Sequence, residues 1–400
     1  MSETAVKTAG GSRRLVVPTV LLTMLVGGLF LSTFQFSLYA MSEEYRFGST
    51  VMGLVTSVQF AFMILFTIPL GRLADKIGNK RVYLLQSAST AAGCLLLWSR
   101  LGGLPGVLLG AFFGGAGYGI LALVSTTVLT EAFPLNAGRY VSLGCVGFSA
   151  GALLGPVCAR AIIAGGAHWS LPFLYIAAGG ALCIVMILLT QFYKGEGISA
   201  PQQAEGGGLK LIFSNPALVL LGLGIILYLG IETCTASFME AYFQNTVGGG
   251  ALSALALSLF WGLMFPSRMF ISAYKGTKYP LILGCIVLAV GLLAAVSLLP
   301  VQLGKTVLFA LLGLVLGPIY PIMMGTGSSS LPGHTGMVTG FLSTCFGIGA
   351  GLIPPVIGRL IALCGYPWAM VFLAGLAAVL FAVYLSAVRV MKRSGRTQGI

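Results

Sequence analysis

Charge is what this chain lacks. Aspartate and glutamate together number nine in 400 residues, and charged residues make up 8% of the chain, against about 25% in ordinary soluble domains. A soluble globule is excluded, because so few charges cannot solvate the surface of one. Histidine occurs twice, at His168 and His334, both at the ends of apolar runs. The eight cysteines, Cys94, Cys145, Cys158, Cys183, Cys234, Cys285, Cys345 and Cys364, show neither metal-ligand nor redox spacing. No metal centre, nucleophile or nucleotide loop is therefore expected, the chain reads as no enzyme, and no cofactor is expected. A short apolar core with a small-residue cleavage site is missing as well, since the first apolar run continues for about 25 residues and reads as a retained span.

What is present is apolar length. Hydrophobic residues make up 57% of the chain and mean hydropathy is +0.99. Runs near 15–40, 50–70, 82–99, 104–130, 140–164 and 170–193 are each long enough to cross the hydrocarbon as a helix. Six more follow near 216–243, 251–273, 279–299, 305–328, 335–360 and 366–391. The expected fold is an all-α membrane protein of twelve transmembrane helices in two six-helix, pseudo-symmetric halves. A tail (1–14), a first half (15–193), a linker (194–215), a second half (216–391) and a second tail (392–400) divide the chain. The linker mixes Gly, Pro and Gln, and its Gly206-Gly207-Gly208 has no Lys-Ser/Thr beside it that would make a phosphate cradle.

The net charge of +13 would suggest nucleic acid in a soluble protein, but its placement follows topology. With the amino terminus inside, every lysine and arginine except Arg46, Arg100, Arg160, Lys305 and Arg359 falls on the cytoplasmic side. This is the positive-inside pattern, so the expected partner is a lipid bilayer and not nucleic acid. Both termini are expected in the cytoplasm and the chain in a plasma membrane, a bacterial inner membrane, as a monomer.

The halves repeat each other. Cys145, Gly147 and Gly151 recur as Cys345, Gly347 and Gly351, and Pro156 with Arg160 is echoed by Pro355 with Arg359. Gly110-x-x-x-Gly114, Gly115-x-x-x-Gly119 and Gly147-x-x-x-Gly151-x-x-x-Gly155 line small residues along helix faces, which predicts close helix approach.

An acid within a span is kept only when paired or used, because a charge at bilayer depth costs several kcal/mol. Glu232 stands about 16 residues into the seventh span, roughly 24 Å along it at 1.5 Å per residue. It is the only acid expected deep within a span. Tyr228, Glu232, Thr235, Met239 and Tyr242 share one face about 80° wide, a polar and aromatic stripe suited to a binding site. A proton or a solute is the expected occupant.

Between the second and third runs lies Gly71-Arg72-Leu73-Ala74-Asp75-Lys76-Ile77-Gly78-Asn79-Lys80-Arg81, expected as the turn between two membrane helices. The pattern resembles the signature between helices 2 and 3 of the major facilitator superfamily, with Asn79 where that family usually has its first basic residue. The resemblance implies a gating role for Gly71, Asp75, Lys80 and Arg81, with Asp75 capping a helix of the opposite half. Glu131 with Arg139, and Arg268 as the second-half copy of Arg72, extend that implied gate. Tyr228-Leu-Gly230-Ile-Glu232 and Gly317-Pro318-Ile319-Tyr320-Pro321 resemble patterns of the fucose-permease-like members. On helices that line the cavity in that superfamily, Gln59, Tyr118, Trp261 and Tyr320, with Gln35 farther out, join Glu232 and Thr235 as implied substrate contacts. The expected function is alternating-access transport of a small polar, sugar-like solute, coupled to a proton at Glu232. Export of lipophilic or cationic compounds, and a non-transporting receptor or scaffold, are the competing readings. Two absences weigh against proton coupling: the fourth span has no arginine ahead of Gly114, and the first span has no acid.

Overall fold

The computed structural model describes residues 10–133, 136–192, 208–249, 251–274, 276–331 and 334–393. Among them fourteen α-helices follow one another: α1 Gly10–Glu44, α2 Ser49–Ile77, α3 Asn79–Ser99, α4 Gly103–Ala132, α5 Ala137–Ala164, α6 Leu171–Leu189, α7 Gly208–Phe213, α8 Pro216–Val247, α9 Ala251–Ala273, α10 Lys278–Leu298, α11 Gln302–Leu316, α12 Ile319–Ser329, α13 Thr335–Cys364 and α14 Tyr366–Arg393. Twelve spans are long and apolar enough to cross a membrane, α11 and α12 sharing the tenth. The described residues contain no strand. Helices are the natural outcome, because hydrocarbon offers no partner for backbone N–H and C=O groups and each span must satisfy its own.

Local chemistry sets the breaks. At the start of α8, Pro216 occupies the first turn, where its missing N–H is not needed, and the Asn215 side chain accepts from Ala217 N at 3.2 Å. Gly248, at φ 80°, closes the same helix. The turn expected over residues 71–81 is far shorter than that. Helix α2 continues through Ile77 and α3 begins at Asn79, so the reversal is confined to Gly78, whose φ of 84° favours glycine. Leu73, Ala74 and Lys76 are good helix formers and extend the span instead of ending it. A short helix, α7, lies inside the stretch expected as linker, of which residues 194–207 are outside the described residues.

Two compact units result, one of Met1–Ser37 with Val58–Ser199, the other of Leu38–Ser57 with Ala200–Ile400. In the first, Val16 and Val20 of α1, Tyr83 of α3, Leu121 and Val124 of α4 and Ile187 of α6 form a buried core. Two polar contacts tie it together: the Thr19 and Thr190 hydroxyls at 2.7 Å and those of Thr23 and Tyr83 at 2.6 Å. The glycine stripe of α5 packs on α1 as its spacing predicts. A Cβ on Gly147 would lie 2.7 Å from Leu21 O, and one on Gly151 would strike Leu25 O and approach Leu29 N to 2.8 Å.

In the second unit α8 is buried along most of its length and packs against α13 and α14, with α9 and α12 also touching it. The glycine that meets α8 is Gly349, whose Cβ would strike Ile226 O. Gly351, the sequence counterpart of Gly151, instead accepts at its carbonyl from Ser57 Oγ. Ser49 Oγ likewise donates to Gly358 O at 2.8 Å. The large apolar side chains left exposed, Leu65, Leu189, Phe270, Leu298 and Trp368 among them, form the surface a bilayer would solvate.

Candidate functional site

The site is built on α8. Tyr228, Glu232, Thr235, Met239 and Tyr242 are all buried, as their shared face requires. Two of their hydroxyls, Tyr228 Oη and Thr235 Oγ1, are buried without a hydrogen-bond partner. Buried polar atoms are nearly always paired, so such a deficit on one face marks where a polar solute would fit. Glu232 Oε1 stands 3.7 Å from Arg268 Nη2 on α9. The Tyr228 hydroxyl lies near both charges, outside hydrogen-bonding geometry with either.

Arg268, expected at a gate, is thus brought beside Glu232. The tenth span explains how it is held. An α-helical carbonyl accepts from the N–H four residues on, and four residues after Gly317 stands Pro321, which has no N–H. Arg268 Nε supplies the missing donor to Gly317 O at 3.1 Å. Gly317 itself has no room for a side chain, since a Cβ would strike Ser267 Oγ and lie 2.8 Å from Met264 O. Pro318 separates α11 from α12, and this break sets Tyr320 face to face with Tyr228, ring centroids 6.3 Å apart and planes 13° from parallel. Phe346 of α13 meets Tyr320 edge-on, ring centroids 5.4 Å apart. The Gly-Pro-Ile-Tyr-Pro patch therefore does two things: it anchors the arginine and aims the tyrosine. Trp261, two turns before Arg268 on α9, is nearly buried and meets Phe260 edge-to-face at 5.6 Å.

The first-half candidates are in the first unit. Gln59 is fully buried and neither of its amide atoms has a hydrogen-bond partner. It is held on α2 against α4, where a Cβ on Gly115 would strike the Gln59 carbonyl. Tyr118 lies on the same α4 stretch, edge-to-face with Phe60 at 6.2 Å and tilted against Phe148 at 5.9 Å. Gln35 is buried in α1.

Of the residues with an implied gating role, Gly71 and Asp75 belong to α2 by backbone, but their side chains lie outside the described residues. Lys80 closes the end of α6: its Nζ donates to Leu188 O at 2.8 Å and to Thr190 O at 2.9 Å, a cation at the negative end of a helix dipole. Glu131 accepts from Asn79 Nδ2 at 2.7 Å, so the residue that departs from the family signature binds the acid expected to pair with a cation. Arg81 and Arg139 are exposed.

Two ionisable residues escaped sequence reasoning. Glu240, two turns beyond Glu232 on α8, is buried and its Oε1 accepts from Gln244 Nε2 at 2.8 Å. Glu232 is therefore not the only deep acid of that helix. Lys305, counted as an outer-side charge, is buried on α11. Its ammonium donates to Tyr242 Oη at 3.1 Å and Thr246 Oγ1 at 3.0 Å and stands 4.3 Å from the Tyr242 ring centre. Tyr242 Oη in turn donates to Val296 O at 2.7 Å. The signal available was Tyr242 itself, at the end of the polar face of α8.

The family model described as the Major Facilitator Superfamily matches residues 20–354. The mouse (Mus musculus) MFS-type transporter SLC18B1 is 22% identical over 361 residues, covering 82% of this chain and 76% of that protein. A solved bacterial homologue of the human lysosomal transporter Spinster superposes with a TM-score of 0.74 at 15% identity, over 96% of this chain and 98% of that one. The E. coli fucose:proton symporter FucP does so with a TM-score of 0.65 at 20% identity, over 93% and 99%.

Proposed function

We infer, from the premise that the chain belongs to the major facilitator superfamily, that it is a secondary transporter carrying a small polar, sugar-like solute together with a proton by alternating access. The observation that carries this reading is the Glu232–Arg268 pair at 3.7 Å, set among the unpartnered hydroxyls of Tyr228 and Thr235. The acid exchanges the proton, and the arginine balances its charge when the proton leaves. The hydroxyls, with the Tyr228–Tyr320 stack and Trp261, hold the solute, because clustered amides, hydroxyls and ring faces suit polar solutes. Gln59, with both amide atoms unpartnered, joins Gln35 and Tyr118 as proposed solute contacts of the first unit.

The conformational residues are proposed separately. Lys80 and the Asn79–Glu131 pair fix the ends of α3, α4 and α6 to one another, so that this unit moves as a body. Gly71, Asp75, Arg81, Arg139 and Arg268 are assigned to the change between states, Arg268 doing so from within the solute site. We propose that both termini face the cytoplasm, a reading supported by the lysine and arginine distribution, and that the membrane is a bacterial inner membrane.

The test is Glu232→Gln, which keeps size and most hydrogen bonding while fixing the neutral state. In proteoliposomes loaded from a panel of monosaccharides and their acids, this variant should exchange solute with no gradient present. It should no longer accumulate solute after a pH step. Survival of pH-driven accumulation in the variant would remove Glu232 from the coupling role.

A further inference from the structure

The two charges of the site are not equally presented. The Glu232 side chain is 6% exposed and that of Arg268 is 32% exposed, so the guanidinium is the more accessible of the two charges. Its orientation is fixed by the Nε bond to Gly317 O, while Nη2 turns toward Met264 Sδ and Glu232 Oε1, each at 3.7 Å. At that distance Glu232 balances charge without forming the two parallel N–H···O bonds, about 2.7–2.9 Å long, that join a guanidinium to a well-seated carboxylate. A planar carboxylate on the solute could form them.

Protonation of Glu232 changes the charge of the pair from zero to +1. Arg268 is then left without its counter-charge, and an anion arriving at Arg268 restores neutrality. The groups facing Glu232 permit this exchange. Among the described residues, Tyr228 from α8, Arg268 from α9 and Tyr320 from α12 are the titratable or charged groups coupled electrostatically to Glu232. From α13 come apolar side chains, Phe346 against Tyr320 and Ile353 against Gly230. Beside the cation lies the Tyr228 hydroxyl, which needs a partner, and the Thr235 hydroxyl, equally unpartnered, shares the face of Glu232.

We propose that the carried solute is a hydroxylated monocarboxylate, a sugar acid, whose carboxylate takes Arg268 over from Glu232 when Glu232 is protonated. The proposal rests on the proton-coupled reading above and adds the charge of the solute. The O–H bond on Glu232 forms on one side of the membrane, and the solute carboxylate then pairs with Arg268. On the other side the solute leaves, the O–H bond breaks and Glu232 pairs with Arg268 again. One proton and one monoanion cross together, so the cycle moves no net charge. By linkage, proton and solute each raise the other's affinity by the same factor.

The experiment uses the purified full chain in liposomes with radiolabelled gluconate, glucuronate, glucose and galactose. Gradients of pH alone and potassium–valinomycin potentials alone are imposed in turn. The sugar acids should accumulate under the pH gradient alone, show no accumulation under the potential alone, and bind at least about tenfold tighter than the neutral sugars, a margin worth one bidentate charge-assisted contact. Gluconate binding to the unmodified protein should strengthen as pH falls, whereas in Glu232→Gln it should be strong and independent of pH. Arg268→Gln should lose the preference for acids, and Arg268→Lys, which keeps the charge without the fork, should retain only part of it. If glucose or galactose accumulates under both gradients and the acids do not compete, proton coupling stands and the carboxylate proposal falls. If no solute responds to pH at all, the proton-coupled reading falls and takes this proposal with it. Gluconate binding unaffected by Arg268→Gln in folded protein also overturns the proposal.

Discussion

Replacing Gly151 by alanine tests the close packing of α5 on α1 in the first unit. The new methyl carbon would strike Leu25 O and lie 2.8 Å from Leu29 N, whereas ordinary van der Waals contact begins near 3.4 Å. These are backbone atoms of α1, so no side-chain rotation relieves the clash, and α5 must withdraw by about 0.6 Å to clear Leu29 N and farther to clear Leu25 O, enough to forfeit a quarter or more of the dispersion well of each atom pair along the contact. Overpacking of this kind costs about 1–3 kcal/mol. At about 2–4 °C per kcal/mol for a unit of this size, the apparent melting temperature should fall by roughly 2–12 °C. Two controls separate sterics from composition. At Gly110 the methyl meets the Leu97 side chain, Cγ at 2.6 Å and Cδ2 at 2.8 Å, and backbone only at Gly93 O, 3.1 Å away, so Gly110→Ala should cost less than Gly151→Ala. At Gly291 nothing lies within 4 Å, and Gly291→Ala should be neutral or stabilise by about 0.5–1 kcal/mol through helix propensity. The assay is thermal unfolding of detergent-purified protein, followed by tryptophan fluorescence. Equal melting temperatures for the Gly151 and Gly291 variants would refute the close-approach reading of the glycine stripe.

Lys80→Met should destabilise the first unit by about 1 kcal/mol, the scale of a cation at a helix C-terminus. The loss should shrink at high salt, because the site is partly exposed; a salt-independent loss in thermal unfolding would point to packing instead. Tyr242→Phe should cost about 1–3 kcal/mol, since it removes an acceptor from the buried Lys305 ammonium and the donor to Val296 O. Adding Lys305→Met should recover part of that cost. A double-mutant cycle measures the coupling, and strict additivity would show that the ammonium does not depend on the tyrosine.

The spans were legible because lipid imposes one rule everywhere, and serial apolar runs of about 20 residues seldom arise except to cross hydrocarbon. Their ends were less so. Helix α2 runs to Ile77 because charge alone does not stop a helix, and only Gly78 adopts a backbone that does. Glu232 was visible from its depth and its face. Its partner was not: the α8–α9 pairing depends on how two helices are rotated against each other, which periodicity within either one does not specify. The anchoring of Arg268 could have been found, since Gly317 and Pro321 stand four residues apart and announce a carbonyl in need of a donor. The burial of Lys305 was not legible because it depends on Tyr242 and Thr246 of a different helix.

A proline that removes a donor from one helix, and an arginine that fills the vacancy from another, make a piece of main chain answerable to side-chain charge. The guanidinium holding Gly317 O also faces the Glu232 carboxylate. Any pull on its far edge is therefore applied, through a rigid planar group, to the break between α11 and α12. Tyr320 sits three residues past Gly317, so the ring that faces Tyr228 is on the same lever. In this arrangement the acid of α8 and the break in the tenth span are joined through a single side chain, and neither can shift without the other being felt at Arg268.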